Sequence, residues 1–304
     1  MEEDERESNN GMSTSVVTPG IPGSVRINEV MYDPLSGMPE FVEVINALGS
    51  AIDLEDCALL DQPTSGGSRN EWKLTGRAFR LHKGNYLAIL ADSSGPFWFP
   101  SLGRTDPGLM VSMSATNLGL NNDGDILVLK SADGIVLDSV RYDPSFHTPD
   151  IADVNGRSLE LINPALNGAD VRNWGTCVDP SGGTPGAENS ICVDILPSAA
   201  LLRASPNPFS PDGDGRDDIS VISFSLPMRT ALIRVRIFDV RGRLIRELAN
   251  ITPAGAEGNI VWDGRDDQGR RGRIGVYIAL MEAIDGGGGV AVAAKCVVVV
   301  AGRL

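Results

Sequence analysis

The chain has 304 residues, enough for two or three sandwich-sized domains, and its 26 basic and 40 acidic side chains give a net charge of -14. That charge would repel a phosphate backbone, and no basic patch interleaved with aromatic residues offsets it, so we expect no nucleic-acid partner. The 35 glycines, 19 prolines and 5% aromatic content favour short strands and turns over long helices.

The N-terminus is acidic and polar, with five of the first seven residues Asp or Glu. An export signal would need a basic start followed by an apolar run, and residues 1–24 contain neither. We interpret them as a disordered, solvated tail, so any signal has been removed or lies in a longer product, or the protein stays inside. The most apolar run, residues 290–301, is interrupted by Lys295 and rich in valine, which predicts a buried strand and no membrane span.

Short strands are predicted through most of residues 25–190. Residues 126–129 and 135–140 form a predicted hairpin, because the Asp133-Gly134 pair between them is a strong turn signal. Strands this closely spaced predict a β-sandwich and exclude a doubly wound sheet.

Six segments of this region, read together, resemble a bacterial lamin-tail domain. They are INEVMYDP (27–34), EFVEVIN (40–46), DLEDCALLD (53–61), LGLNNDGD (118–125), IVLDSVRYD (135–143) and GGTPGAENS (182–190). The resemblance implies an immunoglobulin-like β-sandwich over residues 25–190, of a kind found in secreted and surface proteins and in nuclear lamins. It also implies a binding or structural module, because the family's pattern contains no catalytic constellation.

The strand pattern is lost over residues 191–204, which we predict to be a linker before a second unit at 205–304. In that unit Ile233, Val235 and Ile237 alternate with arginines, which predicts a half-buried strand. The motifs NPF (207–209), V-x-I-F-D-x-x-G (235–242), WDG (262–264) and GVY (275–277) resemble the FlgD-like immunoglobulin fold and the C-terminal domains that export and attach type IX secretion substrates. The predicted fold is therefore all-β, with two tandem immunoglobulin-like β-sandwiches joined by a short linker.

The four cysteines fit no zinc-binding spacing. Cys57 and Cys296 lie in apolar strand runs and are predicted to be core residues. Cys177 and Cys192 flank the loop that closes the first domain, and two alternatives stay open there: a disulfide, if the compartment is oxidising, or two thiols.

An acidic, glycine-rich run at 212–218 is the candidate metal site. Closely spaced carboxylates on such a loop can supply hard oxygen ligands to calcium, and the candidate ligands are Asp212, Asp214, Asp217 and Asp218. The EF-hand pattern fails, since Arg216 and Ser223 stand where ligands are needed. Calcium and a solvated turn are the two alternatives, whereas the acidic loops at 121–125 and 263–269 are read as turns.

The loop spanning residues 93–115 is long and carries three consecutive aromatic residues, Phe97, Trp98 and Phe99. An aromatic cluster on a long loop can anchor a partner, so these three are the candidate contact. The alternative is that the rings fold back as a lid over the sandwich.

We identify no catalytic or cofactor-binding residues. Glu29, Glu40 and Glu43 could suggest an acid/base pair, but their alternation with apolar residues places them on strand faces. His82 and His147 lie in loops without a neighbouring nucleophile motif, and no phosphate loop or zinc-protease motif occurs.

These observations predict a non-enzymatic interaction protein, and the two family resemblances imply an extracytoplasmic location, which is periplasmic, cell-surface or secreted. The N-terminal sandwich would bind a protein or surface macromolecule, and the C-terminal sandwich would dock or anchor the chain. A variant is an extrinsic subunit that stabilises a membrane-associated complex through peripheral contact. The alternative from another class is the non-catalytic C-terminal portion of a secreted hydrolase.

Overall fold

The computed structural model of the chain describes residues 21–47, 50–62, 69–74, 80–103, 110–149, 151–193, 196–284 and 289–302. These residues form many strands and very little helix, which confirms the predicted all-β fold class. The strands divide into an N-terminal sandwich within residues 21–193 and a C-terminal sandwich within residues 196–302.

The N-terminal sandwich consists of two main sheets and a short two-stranded ribbon. Its strands are β1 (Val25–Met31), β2 (Phe41–Asn46), β3 (Ile52–Asp53), β4 (Ala58–Leu60), β5 (Glu71–Lys73), β6 (Arg80–Leu81), β7 (Tyr86–Leu90), β8 (Met110–Ser112), β9 (Asp125–Lys130), β10 (Val136–Tyr142), β11 (Leu159–Leu161) and β12 (Trp174–Thr176). The six-stranded sheet has the order β12-β11-β1-β2-β7-β8, the four-stranded sheet has the order β10-β9-β4-β5, and the ribbon is β3-β6. Of the described pairings only β7 with β8 is parallel.

The main core lies between these two sheets and follows from the two-residue period of the strands. Leu127 and Leu129 of β9 point inward and are buried, as are Val30 and Val42 of the opposite sheet. The predicted hairpin is confirmed, because β9 pairs with β10 and the Gly134 N–H donates to the Ser131 carbonyl across 2.9 Å.

The C-terminal sandwich is built on one long hairpin. Its strands are β13 (Leu201–Ser205), β14 (Ser220–Asp239), β15 (Leu244–Trp262), β16 (Gly275–Ile284) and β17 (Val290–Val300). The first part of β14 pairs with β13 and its last part pairs with β16. Strand β15 pairs with both parts of β14. The pairing register of β14 with β15 shifts between Ser225 and Thr230, and hydrogen bonds link all five strands.

A buried tryptophan occupies the core of this second sandwich. The Trp262 ring centroid lies 5.4 Å from that of Phe209 and 5.0 Å from that of Tyr277, and its indole N–H donates to the Arg265 carbonyl at 3.0 Å. Ile233 and Val235 of β14 are buried beside it, as their alternation with arginines predicted. The aromatic residues of the 207–209 and 262–264 motifs thus meet in one core.

The strand β17 differs from its prediction as a buried strand. Val290 and Val297 are each 52% exposed, whereas Val298 and Val300 are buried. The reason is that successive side chains of a strand point to opposite faces and only one face of this sheet meets the core. The strand also lies at the edge of the sheet. The Asn207 side chain covers part of that edge, because it donates to the Val297 carbonyl and accepts from the Val299 N–H, both at 2.8 Å.

The connection between the sandwiches is shorter than the predicted linker 191–204. Ile191 is fully buried in the N-terminal sandwich, and β13 begins at Leu201. The strands pack closely at this junction, since a Cβ on Gly255 would lie 2.5 Å from the Ser190 carbonyl oxygen. Of the predicted tail, residues 1–20 lie outside the described residues, and Ser24 is buried.

Candidate functional site

A short helix presents the predicted aromatic contact. Helix α1 (Gly95–Trp98) follows β7, and the Asp92 carboxylate accepts from the Ser94 N–H at 2.7 Å just before it. Pro96 favours the first helical turn because its φ is already fixed. Gly95 is required by packing, since an added Cβ would lie 2.2 Å from a methyl carbon of Leu90.

The three aromatic residues of this segment do not share one role. Phe97 is 83% exposed, and its ring meets the Trp98 ring edge-on at 5.6 Å between centroids. Trp98 is half-buried and its indole N–H donates to the Gly37 carbonyl at 2.8 Å. Phe99 is fully buried against Phe41, at 5.1 Å between ring centroids.

The prediction that all three rings offer a partner contact is therefore wrong for Phe99. Its backbone turns inward after the helix, so this ring belongs to a second, smaller core with Met31 and Leu90. Phe97 and Trp98, hereafter the aromatic pair, are the part of the predicted contact that reaches solvent. Of the predicted loop 93–115, residues 104–109 lie outside the described residues.

The acidic run brings three of its four predicted ligands together. Ligand oxygens of Asp212, Asp214 and Asp218 lie within 4.8 Å of one another, whereas Asp217 is not part of this cluster. The loop's own N–H groups already use several of these oxygens: Gly213 and Gly215 donate to the two oxygens of Asp218 at 2.5 and 2.8 Å. The geometry suits both readings, a calcium loop and a self-contained turn.

We predict that calcium, if it binds here, stabilises the C-terminal sandwich. At a free Ca²⁺ concentration a hundredfold above the Kd, linkage gives about 2.7 kcal/mol, measurable as a rise in Tm. The Asp212→Asn/Asp214→Asn variant should lose this response, whereas Asp217→Asn, outside the cluster, should keep it. A Tm that ignores both Ca²⁺ and chelator would make the loop a turn.

Three glutamates form a row across the middle of the six-stranded sheet. Glu29 of β1 is the register neighbour of Glu43 on β2 and of Glu160 on β11, and all three side chains are fully buried. Like charges directly opposite each other on neighbouring strands repel. Burial raises the pKa of each: for Glu43 to about 8, and for Glu29 well above its ordinary value, with further increases from Glu160 and Glu43.

The residues 182–191, hereafter the closing strap, cover this glutamate row and donate to it. The Thr184 N–H donates to Glu29 Oε1 at 2.8 Å, the Gly186 N–H donates to Glu43 Oε2, and the Ile191 N–H donates to Glu160 Oε2 at 3.1 Å. The strap also touches the segment after α1, since the Ser101 hydroxyl donates to the Pro185 carbonyl at 2.7 Å. The row is therefore satisfied by hydrogen bonds inside the protein.

Strand alternation placed Glu29 and Glu43 on strand faces but could not show that those faces are covered. Glu160, the third member, was missed. The sequence did contain a signal for a buried carboxylate, because the glycine-rich strap supplies the backbone donors that such a group needs. Glu40 has a different role, because its Oε2 accepts from the N–H groups of Leu118 and Leu120 at 2.7 and 3.3 Å and so fixes the loop before β9.

His147 and Cys177 are buried and contact neighbouring side chains. His147 is buried, with its ring nitrogens each 2.9 Å from the hydroxyls of Thr176 and Tyr32, and burial lowers its pKa to about 4. Cys177 is fully buried beside Glu160, and burial raises the pKa of its thiol. In the part of the chain that the structure describes, no disulfide joins Cys177 to Cys192.

The architecture is that of an immunoglobulin-like, all-β protein with an exposed aromatic pair and a buried polar row. Residues 19–144 match the model of the Lamin Tail Domain family, a non-catalytic immunoglobulin-like β-sandwich domain. The match stops before β11, β12 and the closing strap, although β11 pairs with β1 in the same sheet. A FlgD-like identity of the C-terminal sandwich stays a prediction.

Solved structures give only distant likenesses. The chain is similar to dimeric latent PorU from Porphyromonas gingivalis, at 14% identity over 90% of this chain and 19% of that one, with a TM-score of 0.26. It is also similar to PorZ, an essential surface component of the type-IX secretion system of the same bacterium, at 18% identity over 59% of this chain and 21% of that one, with a TM-score of 0.25. The chain thus spans about a fifth of each, and such low scores carry no argument about function.

No curated protein matches the chain. Among the residues that the structure describes, no helix is long and apolar enough to cross a membrane.

Proposed function

We propose that this chain is a non-enzymatic, extracytoplasmic interaction protein that binds a protein or surface macromolecule through the aromatic pair. The observation that carries the proposal is the exposure of Phe97. This residue is 83% exposed, whereas Phe99 is buried in the second, smaller core. The C-terminal sandwich would dock or anchor the chain, and peripheral contact with a membrane-associated complex is the variant of this role.

Contacts with the N-terminal sandwich hold the aromatic pair in place, which favours recognition of a partner. Phe99 anchors one end of α1 in the core, and the hydrogen bond from Trp98 to Gly37 fixes the neighbouring ring. A side chain held in place before binding loses little entropy when a partner covers it. Aromatic residues, Trp and Phe among them, are enriched in the cores of protein interfaces, and Trp is enriched among hot spots.

Burial of the titratable groups supports a role without chemistry. Glu29, Glu43 and Glu160 lie beneath the closing strap, and the His147 ring is enclosed by Tyr32 and Thr176. A general acid or base must reach a substrate proton within hydrogen-bond distance, and these groups do not meet solvent.

The test compares Phe97→Ala with Ile135→Ala, which removes another exposed apolar side chain from the same sandwich, 47% accessible in a hairpin. Tagged chains are mixed with a surface fraction of the source cells, cross-linked, purified and analysed by mass spectrometry. A specific partner should be recovered about tenfold less with Phe97→Ala, if the ring contributes about 1.4 kcal/mol. It should be recovered unchanged with Ile135→Ala.

Equal recovery with both variants would remove the aromatic pair from the proposal. Reproducible turnover of a phosphoester, glycoside or peptide substrate by the purified chain would instead overturn the non-enzymatic role.

A further inference from the structure

The hydrogen bonds around Thr184 constrain where protons sit in the glutamate row. The Thr184 hydroxyl lies 2.8 Å from Glu160 Oε1 and 3.4 Å from Glu29 Oε2. A hydroxyl has one proton to donate, so it cannot donate to both carboxylates. It can donate to one and accept from the other, provided that the second carboxyl group holds a proton.

The remaining partners show which of the two groups carries that proton. Glu160 Oε2 already accepts from the Ser190 hydroxyl at 2.8 Å and from the Ile191 N–H, so Glu160 has only donors around it. Glu29 Oε1 accepts from the Ser158 hydroxyl at 2.5 Å and from the Thr184 N–H, which leaves Oε2 as the oxygen without a committed donor. The arrangement therefore fits a neutral Glu29 and an ionised Glu160.

Among the described groups that face the row, none carries a positive charge. The titratable groups around Glu29 are Glu43 on β2, Glu160 on β11 and Cys177 after β12. Tyr86 on β7 faces the same charges, together with Glu188 of the strap and Cys192 after it. All of these groups are neutral or negative, so loss of a proton from the row adds repulsion that no described neighbour offsets.

We propose that the closing strap is a proton-dependent latch, in which Glu29 donates its carboxyl proton to the Thr184 hydroxyl and Thr184 donates onward to Glu160. Loss of the Glu29 proton removes the first of these bonds and places two negative charges on either side of Thr184. The strap then opens, because only opening lets water solvate the two charges, whose burial and mutual repulsion outweigh the hydrogen bonds that the strap's N–H groups donate to them.

The sign of the pH dependence follows from the raised pKa of the closed state. The closed strap holds a proton that the open, solvated carboxyl group would release, so closure is most stable at low pH and weakens as pH rises. The window therefore lies above the ordinary glutamate pKa, because burial and the neighbouring carboxylates raise the pKa of Glu29, and Glu43, which accepts from the strap's Gly186, adds a second titration at a pKa of about 8.

Hydrogen–deuterium exchange of the full chain between pH 6 and pH 9 tests the latch. Exchange rates are corrected for the intrinsic effect of pH, and β9 serves as an internal reference. Protection of the strap should fall by up to tenfold per pH unit if one proton is linked to closure, while β9 stays protected. Strap protection that is constant over this range would overturn the proposal.

Two glutamine variants locate the proton. Glu29→Gln keeps a neutral donor toward Thr184, so the strap should stay closed and should lose the part of its pH dependence that Glu29 contributes, leaving only that of Glu43. The single amide oxygen of Glu160→Gln cannot accept on both sides, so its NH₂ group faces either the Ser190 and Ile191 donors or the Thr184 hydroxyl proton, and the strap should lose protection at every pH. If Glu29→Gln keeps the wild-type pH dependence, the proton is not on Glu29 and the latch is wrong.

A second pair of variants keeps the test decisive if a glutamine variant fails to fold. Thr184→Ser retains the hydroxyl that relays the proton, whereas Thr184→Val has nearly the same shape without it. Thr184→Ser should keep the wild-type pH dependence, and Thr184→Val should show about tenfold less strap protection at pH 6. Equal protection in the two variants would show that the hydroxyl relay does not hold the strap.

Discussion

Replacing Trp262 with Ala is expected to unfold the C-terminal sandwich while the N-terminal sandwich stays folded. The ring is fully buried between Phe209 and Tyr277, and no neighbouring side chain can fill so large a cavity. Removing a buried tryptophan costs about 3–5 kcal/mol, a large share of the stability of a domain this size. The Arg265 carbonyl also loses the indole N–H that donates to it.

Calorimetry should show two thermal unfolding transitions in the wild-type chain. In Trp262→Ala, one of them should disappear or move to a much lower temperature. The matched control is Val261→Ala, because Val261 precedes Trp262 in β15 but points outward and is 51% exposed. Val261→Ala should change stability by less than about 0.5 kcal/mol. A single transition that moves as a whole in Trp262→Ala would contradict the proposed division into two independently folding sandwiches.

The second large effect is expected from Gly182→Ala at the start of the closing strap. Gly182 has φ +83, and an added Cβ would lie 2.0 Å from the Gly156 carbonyl oxygen. The positive φ costs about 1–2 kcal/mol for an alanine, and forcing the backbone apart adds about 1–3 kcal/mol. The strap should therefore detach from the glutamate row or destabilise the whole N-terminal sandwich.

Gly134→Ala separates these two contributions. Gly134 has φ +80 in the β9–β10 turn, but nothing lies within 4 Å of the Cβ it would gain. Urea unfolding of the N-terminal sandwich should show a loss of about 1–2 kcal/mol for Gly134→Ala and a clearly larger loss for Gly182→Ala. Equal losses would mean that the strap moves aside freely and is not held against Gly156.

Most of the strand architecture could be predicted from local sequence. The β9–β10 hairpin followed from an Asp-Gly turn between two apolar runs, and the buried face of β14 followed from the alternation of Ile233, Val235 and Ile237 with arginines. These predictions succeeded because turn dihedrals and strand periodicity are properties of neighbouring residues. The predicted linker extended too far along the chain, because local patterns could not show where β13 begins. This strand has little alternation in its sequence and forms by pairing with β14.

The candidate sites were predicted less completely. The sequence identified an aromatic cluster but could not assign its members, because Phe97 lies in a four-residue helix and Phe99 follows that helix, where the chain turns inward. It likewise identified four aspartates in one loop, of which the structure groups three. In both cases the residue types indicated the chemistry, and the backbone path decided which residues take part.

By itself, the sequence determined that this is an all-β protein with acidic charge, short strands and tight turns, because composition and two-residue periodicity act locally. Only the tertiary structure decided that Glu29, Glu43 and Glu160 meet in one buried row beneath residues 182–191. These glutamates come from three strands spread over more than a hundred positions, and their burial depends on a strap that follows all of them. The pKa values, and with them the proposed latch, arise from this long-range assembly, which no local pattern encodes.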